Sequence, residues 1–376
     1  MAFQLNKSEC YHFKTQEELT NQLVLEKKTT SRISIKNFID RNCIVTNDKY
    51  YGDSESKITF IKEGLQDFCK LIKIPSMLLV EIKEEGLSSQ LLNDRIKNLK
   101  DKIQGYDFIL NEKNEVLGCV SKSYKDISNY SFIDKIMTNK NLKIDDFDYS
   151  SAFLINTKLS LRLLSKEFKV ERERNKFHIK NDKSRIGLEF RNSMVGTSAI
   201  SALIFIERLI CSNGLSVVAG QENWRVVHRG SNHTFDERIE SMVLPILRKM
   251  NYYKKWIDML MTLSFSPTLL VQNKATKLIY DLFPLNKNEI EERKKFVGRN
   301  VQEFDINRIK RIPYRLKGQF SSRVFDSPYR NDASMFDFIN IFTEHAQMLK
   351  PQRRLENEES AGKLANWIYQ NRKKFN

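Results

Sequence analysis

The segment 153–193 limits the possible folds more than any other part of this chain. Leu159, Leu161 and Leu163 alternate with Ser160 and Arg162, Val170 and Ile179 continue the rhythm, and Ile186, Leu188 and Phe190 repeat it. Successive side chains of a strand point to opposite faces, so a period of two marks strands with one face on a core and one in water. Three runs, 153–165, 168–180 and 185–193, are read as an antiparallel meander. The next run, 199–211, is apolar almost throughout, with Ile200, Leu203, Ile204, Ile206 and Leu209, and is read as a buried helix. Ser212, Asn213 and Gly214 close it with the glycine that a left-handed helix cap favours. Glu207 and Arg208 near its end must be paired or functional, because burying a bare charge is costly.

Other elements arrange themselves around the meander. Thr15 and Glu18 have the spacing of a capping box opening a helix. Leu65, Phe68, Cys69 and Ile72 recur at helical spacing over 63–72, and Pro75 stops the run. Further helices are predicted over 90–102, 131–137, 239–263 (with Pro245 inside), 269–282, 334–349 and 356–372. Residues 106–110 and 115–121 alternate around the turn-prone 111–114, which reads as a hairpin. The expected fold class is α+β: a central antiparallel sheet packed with helices, followed by a mostly helical C-terminal region. The expected division is a peripheral N-terminal segment 1–55, a core domain 56–265, and a helical region 266–376 that packs back on it.

With 376 residues, 40% hydrophobic and 29% charged, the chain can bury a genuine core and is not of disordered composition. No apolar run approaches the roughly 20 residues of a membrane helix, and 1–7 is not read as a signal peptide. Five cysteines without a C-x-x-C pair point to reduced thiols in a cytoplasm. Asp145, Asp146 and Asp148 are read as a solvated turn, and neither a metal nor a cofactor is expected. The net charge of +16 favours a polyanionic partner, nucleic acid before membrane. A generally lysine-rich composition is the bland alternative.

Candidate contacts concentrate in the centre. Arg162, Arg172, Arg174, Arg185 and Arg191 fall on the expected wet face of the meander. There they would track phosphates or form cross-strand pairs with Glu167, Glu171, Glu173 and Glu189; both readings stand. His228 and His233 flank a glycine turn before Thr234, an apt helix cap with Glu237 three residues on, and a helix N-terminus attracts phosphate. Asn192, Arg208, Asn213, Arg225, Arg229 and Arg238 are further polar candidates. Tyr124, Trp224 and Tyr314 are candidates for base stacking, with Arg311 beside the last. Neither Ser231 nor Cys211 sits in a strand–nucleophile–helix elbow.

Three segments in order, Glu189-Phe190-Arg191-Asn192-Ser193-Met194-Val195-Gly196, Arg208-Leu209-Ile210-Cys211-Ser212-Asn213-Gly214 and Arg225-Val226-Val227-His228-Arg229-Gly230, resemble a known family. They are similar to the phage- and plasmid-encoded proteins grouped as domain of unknown function nine-three-two. The turn before Tyr124 and the segments 335–344 and 351–354 resemble it too, so the likeness runs over about 55–370. Val120 stands where that family has leucine. The resemblance implies a mobile-element origin and an α+β fold, and it brings no reaction and no catalytic residues.

The expected function is a non-catalytic nucleic-acid-binding protein in recombination or replication of a mobile element. Single-stranded DNA is the favoured partner, for protection or annealing, and a homo-oligomer is compatible with this. One alternative is an enzyme on nucleotides or nucleic acid using His228 and His233. Another is a phage structural or host-interaction protein.

Overall fold

The structure is a computed structural model that describes residues 10–40, 44–46, 49–51, 57–75, 87–125, 127–174, 179–208, 213–217, 225–226, 228, 232–296, 299–316 and 333–374. The chain opens with β1 (Cys10–Phe13), α1 (Gln16–Thr29), β2 (Ser31–Ser34), α2 (Ile35–Asp40), β3 (Ile44–Thr46), β4 (Lys49–Tyr51) and β5 (Lys57–Phe60). It continues with α3 (Lys62–Ile72), α4 (Leu87–Asn98), β6 (Tyr106–Leu110), β7 (Glu115–Ser121) and α5 (Asn129–Met137). The meander is β8 (Phe147–Ile155), β9 (Lys158–Arg174), β10 (Ile179–Ser193) and β11 (Ile200–Arg208), followed by β12 (Asn213–Val217) and β13 (Arg225–Val226). The helical part is α6 (Asn232–Thr262), α7 (Asn273–Leu282), α8 (Lys287–Lys295), α9 (Arg299–Arg315), α10 (Met335–Ala346) and α11 (Pro351–Gln370).

The fold class is α+β, as the alternation predicts. The larger sheet has seven strands in the order β1-β8-β9-β10-β11-β12, with β13 also on β11. All its pairings are antiparallel. The second, six-stranded sheet runs β2-β6-β7-β5-β4-β3, and only β5 and β7 pair in parallel.

Three expectations change. The run 199–211 is not a helix: its apolar residues form β11, which pairs with β10 on one side and β12 on the other. A central strand buried on both faces loses its period of two and reads like a buried helix. Asn213 and Gly214 therefore begin a strand opposite Arg208 and Glu207, and do not cap a helix. The run 153–165 is not one strand either, because it turns at Asn156 and Thr157, with Asn156 left-handed at φ 52°. Finally, the segment expected at the periphery adds to both sheets: β1 is an edge strand of the large sheet on β8, and β2 an edge of the small one on β6.

One face of the large sheet is apolar. Leu161, Leu163, Leu188, Phe190 and Ile204 are at most 1% exposed and share a core with Trp256, Ile257 and Leu260 of α6 and Phe338 of α10. Each such side chain stabilises the fold by roughly 1.5–3 kcal/mol relative to exposure. Pro245 lies inside α6 without ending it, flanked by the buried Met242, Val243 and Ile246. On β10, register against β9 shifts between Arg185 and Gly187, and a Cβ on Gly187 would lie 1.9 Å from the Leu163 carbonyl oxygen. Only glycine admits so close a backbone approach at this bulge.

Candidate functional site

The opposite face of the large sheet carries the arginines, and α11 lies over it. Arg162 is fully buried and bonded to Glu189 on the adjacent strand and to Glu358 of α11. Its guanidinium also lies 4.4 Å from the Phe205 ring centroid and 5.0 Å from that of Phe153. Burial opposes its charge, but the Glu358 and Glu189 carboxylates outweigh that and hold its pKa above the ordinary value. Ser160 donates to the second Glu189 oxygen at 2.7 Å. Arg191 donates through Nε to Glu189 at 2.7 Å and through Nη1 to Glu359 at 2.8 Å. Arg354 completes the set on Glu358 at 2.9 Å.

This corrects the expected wet face. Arg162 is sealed, Arg191 is tied between two carboxylates, and Arg185 pairs with Asp148 and donates to the Leu164 and Ser165 carbonyls. Arg208 is buried too, against Asp337 of α10 at 3.2 Å and over the Phe336 ring at 5.3 Å. The cross-strand pairing with Glu189 describes Arg162, while Arg191 reaches the same carboxylate along its own strand, and the phosphate-tracking reading describes neither. Sequence reading missed Glu358 and Glu359, having read 356–372 only as a helix. Glutamates at 358 and 359, ahead of the apolar run Leu364, Trp367 and Ile368, were the available signal.

Tyr124 joins two of the quoted family segments, through Ser193 and Gly196 of one and His228 of the other. Tyr124 stacks on His228 with ring centroids 4.9 Å apart and planes 11° from parallel. Its hydroxyl donates to the Ser193 carbonyl at 2.9 Å. Gly196, at φ 69°, fits because a Cβ there would lie 2.7 Å from the Tyr124 ring. His228 is 3% exposed, its Nδ1 is 3.3 Å from the Lys125 carbonyl oxygen, and burial lowers its pKa against that hydrogen bond. Tyr124 and His228 therefore pack on each other: one face of the half-buried tyrosine ring is covered by the buried imidazole.

Asn192 is buried as well, donating to the Ile127 carbonyl at 3.2 Å and to Asn129 Oδ1 at 2.8 Å. Asn129 in turn donates to both oxygens of Glu26, at 3.2 and 3.1 Å, which ties α1 to the β10 exit. Burial raises the Glu26 pKa from 4.5 to about 7, against the Asn129 hydrogen bond. Folded chain thus keeps a proton that unfolded chain has released between pH 4.5 and about 7, and stability is lost as pH rises through that window. The loss is at most about 3 kcal/mol. Glu26→Gln is expected to remove this slope and to be the more stable protein at pH 8, as urea titrations at several pH values will read.

A cleft of about 860 Å³ opens between the β10–β11 loop, α3 and the first turns of α11. Lys62, Lys158, Thr197, Ser201, Gln352 and Glu356 are among its walls, and among the described residues neither histidine nor cysteine lines it. It offers hydroxyls, amides and charges of both signs to a polar ligand.

The remaining candidates fall in two groups. Trp224 and Arg229 lie outside the described residues. Arg172, Arg174, Asn213, Arg225, His233 and Arg238 have described backbone in β9, β12, β13 and α6, but not described side chains. Helix α6 begins at Asn232, so Thr234 is inside its first turn and is not the cap. Arg311 and Tyr314, by contrast, stand exposed on α9 with Lys310, the tyrosine by 42%.

By fold and site this is an α+β protein whose charged sheet face is closed by a helix almost two hundred residues further along. The chain belongs to the family described as Domain of unknown function (DUF932), which it matches over residues 116–367, from β7 into α11. No curated protein and no solved structure matches it. Among the described residues no helix is long and apolar enough to cross a membrane, and no group of three or more His, Cys, Asp or Glu could hold a metal ion.

Proposed function

We propose that this protein binds nucleic acid, with single strands preferred, and serves recombination or replication of a phage, plasmid or other mobile element without catalysing a reaction. The observation that carries the reading is the exposed basic and aromatic face of α9. Lys310, Arg311 and Tyr314 lie one helical turn apart or less on its solvent side. The buried arginines are matched by carboxylates, so the interior consumes positive and negative charge together. Among the described residues burial thus takes up none of the +16 surplus, and a surplus of this size attracts a polyanion. A tyrosine among cations suits a single strand, whose unpaired bases can stack on it.

The test is fluorescence anisotropy with labelled single-stranded and duplex oligonucleotides, titrated with salt. Binding is expected to weaken steeply from 50 to 200 mM salt, and Arg311→Ala with Tyr314→Ala to lower single-strand affinity about tenfold. Absence of binding to every polynucleotide at low salt overturns the reading.

A further inference from the structure

A second surface, on α6 and α11, was not singled out by any sequence motif. Tyr252 of α6 is 46% exposed, although aromatic neighbours surround its base. Its ring meets Tyr369 of α11 edge-on, with centroids 5.7 Å apart. Tyr369 in turn leans on the fully buried Trp256 at 6.1 Å, and the Arg372 guanidinium sits 4.4 Å from the Tyr369 centroid. The tyrosine is thus held upright by a rigid aromatic base, with one side of its ring open.

Cations border it on every element nearby. Arg248 and Lys255 share the Tyr252 face of α6, at four and three residues' distance, and both are exposed. Lys373 and Lys374 follow Arg372, and Lys374 reaches Gln272 at 3.4 Å, at the start of α7 where Lys274 and Lys277 are exposed. None of Arg248, Lys255, Lys274, Lys277, Arg372, Lys373 and Lys374 pairs with a carboxylate among the described residues. Elsewhere on this surface lysines do find partners, as Lys294 does with Glu291 and Lys363 with Glu359. Asp258 is the acid of α6 closest in sequence to the patch, and it lies on a different side of the helix from Tyr252.

We infer that Tyr252 is a stacking platform for single-stranded polynucleotide, with Arg248, Lys255, Arg372, Lys373 and Lys374 holding phosphates on either side. This rests on the nucleic-acid reading above and gives it a second, independent contact surface. A duplex does not satisfy it, because paired bases stack on one another and leave no face for Tyr252. A protein partner would meet the same cations through acidic side chains and would have no need of the open ring. Helix α7 packs on α11 and also bonds α9 through Tyr280 and Asp305, so the two basic surfaces belong to one layer of helices.

The experiment compares Tyr252→Ala, Tyr252→Phe and Arg372→Glu/Lys373→Glu in the full chain, by anisotropy with single-stranded DNA, single-stranded RNA and duplex DNA. Tyr252→Ala is expected to weaken single-strand binding about 5- to 100-fold, Tyr252→Phe to preserve it, and duplex binding to change little. The double charge reversal is expected to lower the slope of log affinity against log salt by at least about 1.4. An oligonucleotide carrying 5-iodouracil should crosslink to Tyr252 in the unaltered protein. Preference for RNA or for DNA identifies the strand and supports the inference either way. Unchanged affinity in all variants, with loss only in Arg311→Ala and Tyr314→Ala, overturns this inference and leaves the function standing. No binding by the unaltered protein overturns both, and binding of an acidic peptide in its place points the patch to a protein.

Discussion

Glu358→Ala is expected to destabilise the protein by about 3–5 kcal/mol, read as a lower urea midpoint at unchanged slope. The carboxylate removed is one of two against a guanidinium with no exposed surface. The attraction between buried charges roughly offsets their desolvation, so an intact pair adds little net stability. Breaking the pair leaves the desolvation uncompensated. Glu189 cannot take over, because Ser160 and Arg191 already draw on the same carboxylate. Replacing both partners, as Arg162→Met with Glu358→Leu, is expected to recover most of the loss, since packed apolar groups need no pairing. If the single and double variants are equally destabilised, the effect comes from packing of α11 and not from the charge.

Asp337→Ala is the second large effect, expected at no less than about 3 kcal/mol. This residue stands at two junctions. Its carboxylate accepts from the Ser334 amide at 2.7 Å and hydroxyl at 2.8 Å, closing the capping box of α10, and it faces the buried Arg208 at 3.2 Å. A cap alone contributes about 1 kcal/mol. Asp337→Asn retains an oxygen for the cap while removing the charge, so the gap between the two variants isolates the cap. Asn close to Ala in stability would assign the energy to Arg208; Asn close to the unaltered protein would assign it to the helix start.

Much of the architecture was legible. The hairpin at 106–121 is present at the expected bounds, because its period of two and its turn residues agree. The Thr15 capping box opens α1, with Glu18 accepting from the Thr15 amide as the spacing requires. Helix α3 ends near Pro75 with its four spaced apolar residues buried. The illegible parts share a cause, which is that local pattern reports one element and not its neighbours. β11 has no polar side because both of its flanks and faces are occupied, so its sequence cannot tell strand from helix. Asn156 turns the chain without glycine or proline to announce it. Alternation placed Arg162 and Arg191 on the face opposite the leucines correctly, but whether that face meets water depends on α11. The open side of Tyr252 was equally hidden, since its base is built by Tyr369, more than a hundred residues later.

The distance between Arg162 and its partner bears on how the protein is made. Arg162 leaves the ribosome 196 residues before Glu358. At about 5–20 residues per second, that interval is on the order of 10–40 s. Throughout it the Arg162 guanidinium has no Glu358 beside it, and the leucine core still waits for Phe338 of α10. Water or a transient companion must solvate that guanidinium until α11 arrives. A chain stalled before α11 would therefore leave Arg162 and Arg191 without the Glu358 and Glu359 carboxylates that the finished protein supplies.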